Sequence, residues 1–225
     1  MVDFRVVSFN VRSLRDDRAA VARILRELDA DVVCLQEAPK YLRWRGRCAA
    51  LARAARMLYV AGGRTTGGTA MLTSIRVDVR AAHEHRLPST PRLTSRGLVV
   101  ASLAKGGAAL TAVSAHLGLD AAERTRHLTE ITELVARHDN ASAVIAADMN
   151  ERPGAPSWSR LAEHYTDVGA ADPTPTFSTA DPRRRIDGIF IRGPIEVRRY
   201  QVLDSPDVRA ASDHRPVVAD MVLPA

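Results

Sequence analysis

Short apolar runs that end in polar residues recur along the chain and predict alternating strands and helices. Residues 4–9 alternate loosely between apolar and polar positions and stop at Asn10, which predicts a strand. A helix is predicted next from four apolar residues at helical spacing: Val21, Ile24, Leu25 and Leu28. Residues 31–35 form a second apolar run and a second predicted strand. The chain therefore begins as strand, helix, strand.

The remaining apolar pattern extends this alternation over the rest of the chain. Helices are predicted over residues 41–57 and 120–138, with Asp120 as the cap of the second helix and a glycine-containing loop at residues 61–64. Strands are predicted at residues 69–72, 77–80, 98–103, 110–115, 143–147, 189–191 and 217–222, the middle ones as an antiparallel meander. Because no linker or repeat interrupts the pattern, residues 1–225 are predicted to form a single domain.

Polar residues stand at the ends of many predicted strands. Four of them directly follow apolar runs: Asn10, Glu37, His116 and Asp148. Two others, Asp187 and His214, come just before apolar runs. In a sheet with antiparallel strands these two kinds of strand end can share one rim, so six separate segments are predicted to meet at one polar cleft.

The residue types in this predicted cleft indicate metal-dependent chemistry. Glu37 and Asn10 offer hard oxygen ligands, and the sequence has no Cys/His cluster with zinc spacing, so Mg²⁺ or Mn²⁺ is the expected ion. Asp148 and Asn150, two positions apart, would point to the same side if the strand continued. One of them could act on a water molecule while the other holds a substrate oxygen.

His214 titrates near neutral pH, and a carboxylate such as Asp187 would fix its tautomer and favour its charged form. A cation, a positioned water and hydrogen-bond donors are what hydrolysis of a phosphoester requires. Each residue also has a structural interpretation: Asn10 in a turn, Glu37 in a solvated loop, or His116 as a partly buried histidine. Their coincidence at successive strand ends favours a site.

Composition excludes several classes of protein. With 46% hydrophobic and 26% charged residues, the chain has the composition of a globular protein, and the two cysteines are too few for a disulfide framework. The N-terminal residues do not resemble a signal peptide and no segment resembles a transmembrane helix, so a cytoplasmic location is expected. The net charge of +6 suits an anionic partner such as nucleic acid, although an arginine-rich, alanine-rich composition also arises from a GC-rich genome.

Six short motifs together resemble the endonuclease/exonuclease/phosphatase superfamily. They occur in family order as Ser-Phe-Asn-Val-Arg at residues 8–12, Leu-Gln-Glu at 35–37, Ser-Ala-His-Leu at 114–117, Ala-Asp-Met-Asn at 147–150, Arg-Ile-Asp at 185–187 and Ser-Asp-His at 212–214. The resemblance implies an α+β fold, a four-layer αββα sandwich of two packed, largely antiparallel mixed sheets flanked by helices. It places the site at one edge of the two sheets.

The resemblance also implies a role for each motif residue. Glu37 resembles the principal metal ligand, with Asn10 nearby, and Asp213 resembles an additional metal-site or hydrogen-bonding aspartate. Asp148 resembles the carboxylate that activates a water molecule, and Asn150 resembles a phosphate contact. Asp187 resembles the carboxylate that orients a histidine, His214 resembles that histidine, and His116 resembles a second histidine. Arg12 resembles a substrate-binding arginine of the deoxyribonuclease I branch. Gly188 stands where the family commonly has tyrosine and is expected to open the pocket wall.

Three functions are compatible with these motifs. The leading hypothesis is a metal-dependent phosphoester hydrolase in which Asp148 activates a water molecule. The alternative is a DNA or RNA nuclease, which the positive charge favours and whose binding to nucleic acid should weaken steeply with salt. The third is a catalytically inactive module that binds phosphate-containing ligands or proteins. The scaffold serves nucleases, lipid phosphodiesterases and phosphatases alike, so the resemblance predicts a phosphoester substrate without selecting one, and it predicts no protein partner.

Overall fold

Two six-stranded sheets pack against each other in the computed structural model, which describes residues 1–138 and 140–225. In this part of the chain the strands are β1 (Val2–Asn10), β2 (Val32–Gln36), β3 (Leu58–Gly62), β4 (Ala70–Thr73), β5 (Asp78–Arg86), β6 (Gly97–Lys105), β7 (Ala108–His116), β8 (Ala143–Asp148), β9 (Thr166–Asp167), β10 (Asp187–Arg192), β11 (Glu196–Val202) and β12 (Val217–Leu223). The α-helices are α1 (Arg18–Leu28), α2 (Trp44–Ala54), α3 (Ala121–Ala136), α4 (Pro156–Ala162) and α5 (Pro206–Ala211).

Both sheets are mixed and mainly antiparallel. The first sheet has the order β11-β12-β1-β2-β4-β3, and the second has the order β5-β6-β7-β8-β10-β9. In each sheet one central pair is parallel, β1 with β2 and β7 with β8, and the other neighbours are antiparallel. The predicted fold class is therefore confirmed.

Three apolar clusters separate four layers. One cluster lies between the first sheet and α1, α2 and α5, and another lies between the second sheet and the helices α3 and α4. The third fills the space between the sheets and includes Phe4, Val32, Val144 and Ile189. Because side chains alternate along a strand, each central strand supplies this inner cluster and one outer cluster.

The same alternation carries polar side chains to the rim. On β1 the positions that face the other sheet are even-numbered, beginning with Phe4 and Val6, and this series ends at Asn10. On β8, Val144 and Ala146 face inward and the series ends at Asp148. His116 and Asp187 end the corresponding inward series of β7 and β10. The site is thus a polar continuation of the inner core.

Several elements differ from the sequence-based expectation. The predicted loop at residues 61–64 overlaps the end of β3, and β11 lies between the two strands predicted as the last ones. Both are edge strands, which have one neighbour and fewer buried positions than the central strands, so their apolar alternation is weak. Helix α2 is shorter than residues 41–57, and α4 and α5 begin with prolines that signal a first helical turn.

Both cysteines, Cys34 and Cys48, are free and buried. Among the described residues, no helix is both long enough and apolar enough to cross a membrane.

Candidate active site

Asp148 lies at the centre of the candidate site. It is the last residue of β8 and is only 1% exposed. In the sheet register it pairs with His116 on β7 and with Asp187 on β10. From the opposite sheet, the Asn10 amide Nδ2 donates to Asp148 Oδ2 at 3.0 Å, and the backbone N–H of Asn150 donates to Oδ1 at 2.9 Å. The carboxylate is therefore held in one orientation by both sheets.

His214 lies on one side of Asp148 and is held by a second carboxylate. Its Nδ1 is 3.0 Å from Asp187 Oδ2, and its Nε2 is 3.9 Å from Asp148 Oδ2. Burial of the ring favours the neutral form, but the charges of Asp187 and Asp148 outweigh it and raise the pKa of His214 to about 9. The ring is therefore an imidazolium at neutral pH.

Two further contacts fix the segment that carries His214. The ring packs against Phe177 with a centroid separation of 4.7 Å. The Thr176 hydroxyl oxygen accepts hydrogen bonds from the backbone N–H groups of Ile186 at 3.0 Å and Asp187 at 3.2 Å. Buried Thr176 thus positions the carboxylate that in turn positions the histidine.

His116 lies on the other side of Asp148 and has a cation as its neighbour. Arg96 Nη1 is 3.0 Å from His116 Nδ1. Arginine can only donate, so Nδ1 accepts and the ring proton is on Nε2, which is 3.2 Å from Asp148 Oδ2. Burial lowers the pKa of His116 to about 3; the charge of Asp148 opposes this and that of Arg96 reinforces it. His116 is therefore neutral.

Asn150 is placed beside this ring by a left-handed backbone conformation, with φ of 50°. Its side-chain Nδ2 donates to the Leu117 carbonyl oxygen at 2.9 Å and lies 3.0 Å from His116 Nε2. Because that ring nitrogen carries a proton, the hydrogen bond of Asn150 is the one to Leu117. A left-handed non-glycine residue at a strand end is typical of strained functional sites.

Arg12 and Asp213 lie at the outer margin of the site. Arg12 Nε is 3.3 Å from Asp213 Oδ2, and the backbone N–H of Arg12 donates to Asn10 Oδ1 at 3.0 Å. The Ser212 hydroxyl donates to the Asn10 backbone oxygen at 2.7 Å, which ties the segment of Asp213 to the end of β1. Both side chains are partly exposed, so they can reach a ligand in the cleft.

Glu37 follows β2 in a left-handed conformation with φ of 48°, beside the end of β1, where Asn10 pairs with Gln36. Within residues 1–138 and 140–225, its half-buried carboxylate has no hydrogen-bond partner. A carboxylate and an amide oxygen at adjacent strand ends form a donor set that suits a hard divalent cation.

A second group of residues also has metal-binding geometry. The ligand atoms of Asp148, Asp187 and His214 all lie within 4.8 Å of one another. Glu37, the predicted principal ligand, is not in that group. The protonated ring of His214 has no free lone pair, so in this protonation state only the two carboxylates could coordinate an ion.

Sequence reasoning missed three residues that shape the site, Lys40, Arg96 and Thr176, and it gave Ser212 no role of its own. Arg96 carried a usable signal, because it comes directly before β6 just as Asp187 begins β10. The rule that placed Asp187 at the rim therefore applies equally to Arg96. Lys40 is one of two lysines in the chain, but its place near Glu37 depends on the loop after β2.

The expectation that Gly188 opens the pocket wall is wrong. A Cβ at this position would lie 2.9 Å from Phe190 Cε2 and 3.0 Å from Trp158 Cη2. Position 188 faces the cluster between the second sheet and α4, on the opposite side of the strand from Asp187. The Trp158 ring fills the space that a larger side chain at this position would need.

The fold is similar to that of several solved structures. An endonuclease/exonuclease/phosphatase from Bacteroides vulgatus is 19% identical, with a TM-score of 0.83 and 100% coverage of both chains. A mannosyl-6-phosphatase from Bacteroides thetaiotaomicron VPI-5482 is 19% identical, with a TM-score of 0.82 over 98% of this chain and 100% of the other. TDP2 from D. rerio, complexed with a single-strand DNA product, is 19% identical, with a TM-score of 0.77 over 99% and 100%.

No curated protein matches the sequence at a significant level. The sequence profile of the Endonuclease/Exonuclease/phosphatase family, in contrast, matches residues 7–214, which include all six motifs at the rim of the two sheets. The chain therefore belongs to the Endonuclease/Exonuclease/phosphatase family.

Proposed function

We propose that the chain is a divalent-metal-dependent hydrolase of phosphoesters in which Asp148 accepts a proton from the attacking water. The observation that carries the proposal is the placement of buried Asp148 between a neutral His116 and a charged His214. A carboxylate between a fixed neutral donor and a fixed cation suits proton transfer beside an anionic phosphate.

In this mechanism each contact of Asp148 has a task. The hydrogen bonds from Asn10 and from the Asn150 backbone aim the carboxylate at the cleft, so a bound water molecule meets an acceptor of fixed direction. The Nε2–H of His116 lies 3.2 Å from Oδ2 of the same carboxylate and limits its rotation. The Asn150 side chain, held by Leu117, lies where it can contact a phosphate oxygen.

His214 has the complementary task. As an imidazolium it donates through Nε2 and stabilises the negative charge that develops on the phosphate oxygens. Asp187 keeps the ring charged and oriented, in the manner of a carboxylate behind a catalytic histidine. Arg12, at the outer margin, is placed to contact the substrate beyond the scissile group.

Glu37 and Asn10, with Asp213 close to Asn10, are the residues that would hold Mg²⁺ or Mn²⁺. The ion supplies Lewis-acid charge neutralisation at a non-bridging phosphate oxygen. The donor atoms of these residues are carboxylate and amide oxygens, which favours these ions over zinc.

A nuclease is the second candidate, because the net charge of +6 suits a polyanion. The structural relatives include both a phosphatase and a protein bound to a DNA product, so the fold is compatible with either substrate.

We also propose that residues 1–225 form a single domain, since one inner core joins both sheets. A cytoplasmic location is proposed as well.

The test is a hydrolysis panel of single- and double-stranded DNA, RNA, phospholipids and small phosphomonoesters, each with Mg²⁺, Mn²⁺ or EDTA. We expect turnover of at least one substrate with metal and none with EDTA. Glu37→Gln and His214→Gln should each reduce that turnover by about 10²–10⁴-fold. Glu196→Gln, on an exposed position of β11, serves as the matched control and should retain full activity.

Two results would contradict the proposal. One is full activity of either site variant on the responsive substrate. The other is the absence of turnover across the panel, which would favour an inactive module that binds phosphate-containing ligands. For nucleic acid as the responsive substrate, KM should rise steeply between 50 and 200 mM salt; a salt-insensitive KM would exclude the nuclease candidate.

A further inference from the structure

Arg96 differs from the other buried arginines of the chain in its partners. Among the described residues, four arginines are buried, with exposed fractions between 6% and 8%: Arg96, Arg124, Arg185 and Arg215. Three of them pair with a carboxylate at 3.3, 2.6 and 2.8 Å: Arg124 with Glu151, Arg185 with Asp167, and Arg215 with Asp204. Arg96, in contrast, has no carboxylate oxygen within 4.0 Å in the described chain.

A buried guanidinium without an anion is costly, because the lost hydration is not replaced. The one side-chain contact of Arg96 is His116 Nδ1, a neutral acceptor that satisfies a single N–H. The carboxylates of Asp148, Glu37 and Glu123 act on Arg96 only from beyond 4.0 Å, so no ion pair compensates its buried charge at the edge of the cleft.

A second cation lies close to Arg96 and also has no carboxylate partner in the described chain. The Lys40 ammonium donates to the Gly67 carbonyl oxygen at 3.1 Å and makes no ion pair within 4.0 Å. Burial, together with the like charge of Arg96, lowers the pKa of Lys40. Two cations that repel each other at one margin of a cleft indicate a place for an anion.

A pair of glycines brings these two cations together. A Cβ at Gly67, where φ is +67°, would lie 2.9 Å from Arg96 Cα, and one at Gly68, where φ is +110°, would lie 3.3 Å from Lys40 Cδ. The turn therefore packs against both residues, and a side chain at either glycine would push one of them away. This arrangement makes the site a built feature of the fold.

We propose that Arg96 and Lys40 form a second anion site that binds a non-scissile phosphate of the substrate. The inference rests on the proposed function, because the site adjoins the catalytic centre through the contact of Arg96 with His116. A guanidinium and an ammonium with no carboxylate partners are the groups that recognise phosphate. The substrate class is therefore a phosphoester that carries a further phosphate close to the scissile one.

The near absence of lysine allows a direct test. Lys40 and Lys105 are the only lysines, so reductive methylation with ¹³C-formaldehyde gives one NMR signal set for each and one for the N-terminus. Lys105 pairs with Asp31 at 2.9 Å and is the internal control. Inorganic phosphate is the probe, and EDTA in the sample removes any contribution from bound metal.

We expect the Lys40 methyl signals to shift saturably with phosphate while the Lys105 signals stay in place. Arg96→Gln should weaken the apparent affinity by about tenfold or more, and Arg96→Lys, which keeps the charge, should retain the response. His214→Gln should leave the Lys40 response unchanged, because that residue lies on the opposite side of Asp148. Circular dichroism checks that each variant is folded.

The inference is overturned if the Lys40 signals do not move, move together with those of Lys105, or respond equally in Arg96→Gln. These readouts need no turnover, so they are independent of the proposed activity. A normal Lys40 response in a protein that hydrolyses no phosphoester would instead overturn the proposed function alone.

Two matched substrate pairs separate the sources of the second phosphate. One pair is a dinucleotide with and without a 5′-phosphate, and the other is a sugar phosphate with and without a second phosphate. For the substrate pair that the enzyme hydrolyses, Arg96→Gln should raise the KM about tenfold for the member with the extra phosphate and leave the KM of the other member in place. Any change in kcat that Arg96→Gln causes through His116 should be common to both members. Equal effects on the KM of both members of both pairs would overturn the inference. The role of Arg96 would then be to position His116.

Discussion

The two histidines beside Asp148 have the same side chain and similar burial, but opposite charge. His214 has a carboxylate at Nδ1 and a pKa raised to about 9. His116 has a guanidinium at the same ring nitrogen and a pKa lowered to about 3. Burial favours the neutral form of both rings; the group at Nδ1 opposes burial in His214 and reinforces it in His116.

In the proposed mechanism this difference separates two roles that two rings of the same charge could not share. The cation on one side would stabilise negative charge on the phosphate, while the neutral ring on the other side would leave the carboxylate of Asp148 free to accept a proton. Two imidazolium groups would each form a charged hydrogen bond with Asp148 and reduce its basicity. The asymmetry between Asp187 and Arg96 is therefore part of the proposed mechanism.

The largest effect is expected from Asp187→Asn, which removes the charge that distinguishes His214. The His214 pKa should fall, because burial is then opposed only by the charges of Asp148 and Asp213, and kcat at pH 7 should fall by about 10²–10⁴-fold. NMR titration of the ring and steady-state kinetics measure both quantities. Asp167→Asn, which removes a carboxylate paired with Arg185, is the control and should leave the His214 pKa in place.

A smaller effect is expected from His116→Gln. The neutral ring has its Nε2 3.2 Å from Asp148 Oδ2 without an aligned hydrogen bond, so its loss should lower kcat by only about tenfold or less. His214→Gln should cost at least ten times more activity. Equal losses in the two variants, compared in the same assay, would contradict the division of roles.

The smallest effect is expected in the pH dependence of stability. Since the His214 pKa is raised from 6.5 to about 9, its contribution is complete below pH 6.5 and is lost as pH rises to 9. Since the His116 pKa is lowered from 6.5 to about 3, its contribution is complete above pH 6.5 and is lost as pH falls to 3.

Melting curves between pH 4 and 9.5 test both signs in His214→Gln and His116→Gln. Each substitution should flatten one limb of the Tm profile, the alkaline limb for His214 and the acidic limb for His116. A change of about 2–4 °C in Tm corresponds to 1 kcal/mol for a chain of this size. If His214→Gln flattened the acidic limb and His116→Gln flattened the alkaline limb, the assignment of the two protonation states would be reversed.

Much of the fold was predictable because the central strands are apolar on both faces. The runs that include Val144 and Ile189 form strands close to their predicted limits, and the ordered motifs pointed to the four-layer arrangement. Edge strand β11 was missed because its Arg-rich sequence has few buried positions. Its place in the sheet depends on pairing with β12, which is a long-range contact.

The candidate site was predictable to the extent that strand ends define a rim. The same rule gave Asp148 and His116, which the sheet register places side by side. The protonation states were only half predictable: Asp187 was expected beside His214, but Arg96 beside His116 was not. That contact depends on the turn at Gly67, which no local periodicity encodes.

The hydrogen bond from Ser212 to the Asn10 backbone oxygen joins residues 202 positions apart in the chain. Closing a loop of that length costs chain entropy, which the antiparallel pairing of β1 with β12 at the same two chain ends helps to offset. The rim near Asn10 therefore depends on both terminal segments being joined to the first sheet. Recovery of catalysis during refolding would report the joining of these segments, whereas far-UV signals would report the formation of helices and sheets as a whole.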